Sequence, residues 1–219
     1  MSIKLHKLKI VLVGGGGHCK TVVSVLKKLE AYEIVGISDL PESLGTSLLG
    51  IEVKYTDENL SVLYNSGIQH ALITLGSVGV SEKRKDLYYM VKDIGFTIPS
   101  IVSKEAIVEE SVLIGEGTIV MPGAIINPCT AIGKNCIINT GAIIEHDCYI
   151  GDHVHIAPGV TLSGSVKIGN YSHIGTGSSI IQNIAVGDRV MIGAGSVIVR
   201  NVSDDKKVFG VPAKERLVV

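Results

Sequence analysis

IEHDCYIGDHVHIAPGVTLSGSVKI, residues 144–168, decides the fold. Ile144, Ile150, Ile156, Leu162 and Ile168 fall six apart. The spacing continues unbroken both ways, so that every sixth residue from Val102 to Ile198 is Val, Ile or Leu. Four places after each hit sits a small or β-branched residue, here Cys148, Val154, Val160 and Val166. A period of six fits neither the 3.6-residue helix nor the two-residue alternation of a strand. Repetition at a fixed period signals a solenoid. At ~3.3 Å per residue, three hexads wrap once around a triangular prism, with the aliphatic residue inward and the small one at the corner.

A second period supports this. Gly115, Gly133, Gly151, Gly169 and Gly187 are eighteen apart, one per coil, and are expected to stack on one corner and supply the positive φ of a tight turn. The repeat covers roughly five coils, each pairing with the next at ~4.8 Å.

The first hundred residues read differently. Lys9–Val13 is a short apolar run, as in a buried parallel strand. It breaks into Gly14-Gly15-Gly16-Gly17-His18, after which Lys20–Leu29 reads as a helix. Further strands are predicted at 33–38, ending at Asp39, at Ile51–Tyr55, and at His70–Leu75, ending at Gly76. Helices are predicted near Glu58–Ser66 and over Ser81–Ile94. Strand alternating with helix implies a small parallel sheet of Rossmann type. A glycine turn at a helix N-terminus lets phosphates approach backbone N–H groups, and an acid after the second strand can hold a ribose or base. Cys19 stands where a GxGxxG motif would have its third glycine, so dinucleotide redox chemistry is the weaker reading. The predicted organisation is an α/β Rossmann-like domain over 1–100, an all-β parallel β-helix over 101–203, and a short capping tail over 204–219.

Composition narrows the function classes. With 46% hydrophobic residues, no Trp and two Phe, the core must be aliphatic, which suits a narrow prism. Net charge is -1, and the basic runs are Lys27-Lys28 and Lys83-Arg84-Lys85, so nucleic acid is not an expected partner. No apolar stretch reaches the ~18 residues of a membrane span, and Met1 to Lys9 lacks a signal peptide's apolar centre. A cytoplasmic location is expected. The four cysteines lack paired zinc spacing, so neither metal nor disulfide is predicted. Cys136 and Cys148 take the small inward place of the hexad, and Cys19 in the glycine turn is the one reactive candidate.

Of seven histidines, most are discounted. His6 and His70 read as solvated or structural, and His153 and His173 as surface, with His173 stacked one coil after His155. His146 is different. The frame puts it on the outside between Glu145 and Asp147, where an imidazole can take a proton at neutral pH with either carboxylate orienting it. Neither Ser nor Cys lies beside it in the frame as a nucleophile, which favours direct transfer.

The hexad resembles the hexapeptide repeat of left-handed β-helix acyltransferases. With the glycine turn and the tail Val208-Phe209-Gly210-Val211-Pro212-Ala213-Lys214, the chain resembles the sialic-acid-type sugar acetyltransferases from end to end. Within them it is most similar to N-acetyltransferases of nucleotide-linked 4-amino-4,6-dideoxy sugars, the bacillosamine and perosamine type. That resemblance implies left-handed coiling and a nucleotide-sugar site at Gly16, Gly17, His18, Asp39 and Gly76, with Leu40 where the family often has a second acid. It implies a general base at His146 with Asp147, acetyl-CoA held by His155, Thr176 and Ala194, and Asn139 beside the sugar. It also implies a homotrimer with sites between prisms, where His146 and His155 could meet, and a tail covering the coenzyme. The backbone N–H of Gly164 is the candidate oxyanion donor. Sialic-acid-type O-acetylation and a non-catalytic nucleotide-sugar-binding role remain open, as do the nucleotide (UDP, GDP or dTDP) and the sugar stereochemistry.

Overall fold

The computed structural model describes residues 7–79 and 82–215. His6, most of the Met1–Lys9 segment, the helix start expected at Ser81 and the last four tail residues lie outside these. Contacts group the chain into two units: the residues up to Gly76 with Lys83–Pro99, and Ser77–Glu82 with everything from Ser100. Among the described residues, no helix is long and apolar enough to cross a membrane.

In the first unit β1 (Leu8–Val13), β2 (Tyr32–Ser38), β3 (Ser47–Leu48), β4 (Ile51–Tyr55) and β5 (His70–Ile73) form one sheet in the order β3-β4-β2-β1-β5. All pairs are parallel except the short β3–β4 hairpin. Ile10–Val13 and Ala71–Ile73 are fully buried, as expected of strands covered on both faces. Helices α1 (Gly17–Leu29), α2 (Leu60–Asn65) and α3 (Glu82–Ile94) alternate with the strands. Helix α1 starts three residues earlier than the apolar pattern suggested, taking in Gly17, His18 and Cys19 of the turn, with Cys19 already on its buried side. The basic run at Lys83-Arg84-Lys85 is broken up by burial. Arg84 is 4% exposed and donates from Nη1 to the carbonyls of Ile73 (2.8 Å) and Leu75 (2.6 Å), capping the end of β5.

In the second unit each hexad contributes a two-residue strand, and successive strands go to three different sheets. The first face holds six strands from Ile107–Val108 to Val197–Ile198, and the second holds five from Leu113–Ile114 to Ala185–Val186. The third holds eight, from Ile101–Val102 to Lys214–Glu215. Repeat partners are eighteen apart, as in Ile125↔Ile143 and His155↔His173. Inside is a continuous aliphatic column including Ile126, Ile144, Ile156, Leu162 and Ile174. Each such side chain stabilises the stack by about 1.5–3 kcal/mol.

The corners work differently from the expectation. Gly115, Gly133, Gly151, Gly169 and Gly187 are not at positive φ. They are glycine because the next coil approaches too closely for a side chain: a Cβ at Gly133 would sit 2.6 Å from the carbonyl carbon of Gly151. Positive φ instead occurs at every sixth residue from Gly117 to Gly195. On the edge between the third and first faces this position is always glycine, as at Gly141. On the edge between the first and second faces it is Cys129, Asp147, Ser165 and Asn183.

Side chains reinforce the coils. Asp152, Asn170, Asp188 and Asp204 each accept a backbone N–H from the coil before, at 2.7–3.0 Å. At the small inward place, the Thr118 hydroxyl donates to the Gly133 carbonyl (2.7 Å) and accepts from the Cys136 N–H (2.9 Å). That place therefore rewards a hydroxyl as well as a small volume. The tail keeps the frame for one further strand, displaced by two residues: Val202 pairs with Val186, and Lys207–Phe209 pairs with Met191–Ile192.

Candidate active site

His146 and Asp147 stand on the edge between the first and second faces. Asp147 occupies the positive-φ place (φ 59°), which short polar side chains tolerate. Its Oδ2 lies 2.7 Å from His146 Nδ1. A carboxylate can only accept, so the ring proton sits on Nδ1 and the Nε2 lone pair is left as the basic site. Asp147, not Glu145, is therefore the carboxylate on the ring. Both side chains are more than half exposed. The imidazole lies over Gly164 of the next coil, where a Cβ would come within 2.7 Å of Nε2 and Cε1. The frame thus offers the ring a flat seat that only glycine provides. The Gly164 carbonyl accepts from Asn183, and Ser165 donates to the His146 carbonyl, which ties the corner to both neighbouring coils.

His155, Thr176 and Ala194 come together on the third face, in a cavity of about 390 Å³ that Ser77, Val78 and His173 also line. The expectation of a surface His173 is overturned. It is 6% exposed, edge-on to His155 with ring centroids 4.9 Å apart, and burial lowers its pKa. The frame puts residue 173 outward, but the 77–78 segment also lines this cavity, and sequence period cannot register that. Ser77 and Val78 are cavity residues the sequence reading missed. Asn139 is also here, with its amide nitrogen 3.0 Å from His155 Nε2.

His146 and the cavity are not brought together within one chain. Nine residues separate His146 from His155, half of an eighteen-residue coil, so the edge bearing His146 lies opposite the third face.

In the first unit Gly16, Gly17, His18, Asp39 and Gly76 gather at the C-terminal ends of β1, β2 and β5. In open parallel sheets this is where ligands bind. Asp39 Oδ2 accepts the Gly15 N–H at 3.1 Å, and Gly76 rests against His18. Gly14 and Gly15 are the sterically constrained glycines: a Cβ at Gly14 would sit 2.8 Å from the Leu75 nitrogen, and one at Gly15 2.5 Å from Asp39 Oδ2. Gly16 and Gly17 face open space at the start of α1. Asp57 lines the same crevice as Asp39 and accepts from the Ser38 hydroxyl at 2.9 Å. It was missed because it lies on a different loop from Asp39. Cys19 is not reactive: it is fully buried, and desolvation pushes its thiol up to about 11. The exposed cysteine is Cys129. Among the described residues, no three His, Cys, Asp or Glu side chains are grouped to hold a metal ion.

Comparison with known proteins matches both units. Residues 130–164 and 165–200 match the family described as bacterial transferase hexapeptide (six repeats), and residues 9–91 match the PglD N-terminal domain. The structure is similar to PerB from Caulobacter crescentus in complex with CoA and GDP-perosamine, at 33% identity and TM-score 0.88, over 99% of this chain and 100% of that one. It is similar to the acetyltransferase domain of PglB from Neisseria gonorrhoeae in complex with acetyl coenzyme A, at 33% identity and TM-score 0.89, over 96% and 100%. WeeI from Acinetobacter baumannii is similar at 26% identity and TM-score 0.84, over 94% and 99%. No curated protein sequence matches.

Proposed function

Because the chain belongs to the hexapeptide-repeat family of nucleotide-amino-sugar N-acetyltransferases, we propose that it acetylates the 4-amino group of a nucleotide-linked 4-amino-4,6-dideoxy sugar with acetyl-CoA. The observation that carries this reading is the His146–Asp147 pair, with Nδ1–H held by a carboxylate on a ring that is more than half exposed. The amine nitrogen attacks the thioester carbonyl carbon. Its proton passes to His146 Nε2, the C–S bond breaks, and the imidazolium returns the proton to the departing thiolate. Asp147 keeps Nε2 as the acceptor throughout and stabilises the imidazolium. No covalent acyl-enzyme is involved.

Acetyl-CoA occupies the third-face cavity, where Thr176 and Ala194 flank the pantetheine and the tail around Phe209 closes one end. The nucleotide lies in the crevice at Gly16, Gly17, His18, Asp39 and Gly76, and its phosphates face the open start of α1. Since His146 stands opposite the cavity in its own chain, the reacting groups belong to neighbouring copies. A homotrimer of side-by-side prisms joins the edge of one to the third face of the next. A thiol-release assay with acetyl-CoA tests the reading, using UDP-, GDP- and dTDP-linked 4-amino sugars and free sialic acid as acceptors. Release with one 4-amino sugar, abolished in His146→Ala, is expected. Release with sialic acid alone would overturn it.

A further inference from the structure

Both ring nitrogens of His155 are engaged, and their partners fix which one is protonated. The Ser77 carbonyl, 2.7 Å from Nδ1, can only accept, so Nδ1 carries the proton. On the other side, Asn139 Nδ2 lies 3.0 Å from Nε2. The orientation of that amide is set independently. Its Oδ1 takes the Thr140 backbone N–H at 2.8 Å, and that group can only donate. The NH₂ end therefore faces the ring, and Nε2 accepts. Worked from opposite sides, the two bonds agree on one species, a neutral imidazole protonated at Nδ1.

His155 is 9% exposed and packs edge-on to His173. Asn139 belongs to the coil before it, whereas the cavity walls at Pro158, Thr176 and Gly193–Ala194 belong to its own coil and later ones. We infer that Asn139 is a positioning residue of the acetyl-CoA cavity, acting through His155 rather than by touching the sugar: it holds the ring as the Nδ1–H tautomer against the Ser77 carbonyl. This rests on the proposed function for the cavity's occupant. It also revises what His155 does there. Neither ring nitrogen keeps an N–H for an acyl oxygen, so His155 offers its apolar face and edge to the ligand while its N–H holds Ser77, and with it Val78, at the cavity wall. Removing Asn139 frees Nε2 to take the proton, and a bare Nδ1 then loses the Ser77 carbonyl and keeps only the longer contact to the Ser77 hydroxyl, at 3.3 Å.

The test uses the full chain labelled with ¹⁵N-histidine, with the His155 signals assigned by their loss in His155→Gln. Long-range ¹H–¹⁵N correlation is expected to show a protonated Nδ1 and a bare Nε2. In Asn139→Ala the proton shifts toward Nε2. In Asn139→Asp, which keeps the Thr140 contact but presents an acceptor to the ring, both nitrogens become protonated. Calorimetry should show CoA affinity in Asn139→Ala down about fivefold, the worth of roughly one hydrogen bond, with the amino-sugar KM unchanged. Unchanged His155 signals in both variants, or intact CoA affinity with a raised sugar KM, would overturn the assignment. The spectra and the CoA titration need no acceptor, so they stand apart from any failure to acetylate an amino sugar.

Discussion

His146→Ala, expected to lack the base, and His155→Ala, expected to bind acetyl-CoA too weakly to turn over at limiting coenzyme, should restore one another when mixed. Half a coil separates the two residues, so in one prism they point to opposite sides. If copies join head to tail in a ring of three, each site takes His146 from one copy and His155 from the next. Going round a mixed ring, only one of its three junctions pairs an intact His146 with an intact His155. The mixed trimers should therefore show about one third of the wild-type rate, and an unfractionated equal mixture about one quarter. The two variants are co-expressed with different affinity tags and purified in tandem, and the thiol released from acetyl-CoA is followed. Alone, the His146→Ala protein should lose about 10²–10⁴ in kcat as a missing general base. A tandem-purified mixture no more active than either parent would mean that both residues serve the same copy, and the intersubunit site would be wrong.

Gly164→Ala should lower kcat about tenfold or more with little change in the circular dichroism spectrum, because the new methyl displaces the His146 ring from its seat while the coil stays paired. In the native protein Cys129 should react with a thiol reagent at pH 8 while Cys19, with its thiol raised to about 11, does not. Rapid labelling of Cys19 would contradict its burial. His173 has a folded-state pKa below its unfolded value of ~6.5, so its neutral form favours the fold at higher pH, and that contribution falls away as pH drops below ~6.5. Thermal unfolding between pH 7 and 5 should therefore show a smaller loss of stability in His173→Gln than in the parent; identical slopes would remove His173 as a contributor.

The repeat was legible because its information is local and periodic. Ile144, Ile150 and Ile156 announce their inward direction by spacing alone, and the same frame sends His146 outward. The glycine columns show the limit. Gly133 and Gly141 hold different places in the hexad, one and three after the aliphatic residue, but that the first is glycine for lack of room and the second for its φ needs the next coil in place. The partners that sequence could not supply come from distant segments. Asp57 reaches the crevice of Asp39 from another loop, and Ser77 meets His155 across 78 positions. Choosing Asp147 over Glu145 needed the corner's backbone, since both flank His146 equally in the chain.

The repeat also explains why the chemistry sits where it does. Each hexad commits its aliphatic and small residues to the column and its turn residues to the corner, leaving the outward strand position and the exposed corner places for anything else. His155 uses the first kind of place, and His146 with Asp147 the second. Asp147 takes a positive-φ position that the coil must fill in any case, where Cys129, Ser165 and Asn183 sit in neighbouring coils. A short carboxylate there adds little strain beyond what the turn already demands. The carboxylate on the His146 ring is thus held by the corner's own geometry, and Gly164 one coil on supplies the ring with its floor. Because the whole arrangement is indexed by eighteen, a base at one edge and a cavity nine residues later must face apart. On the proposed function, which uses both, that period is the reason to expect a second copy at the site.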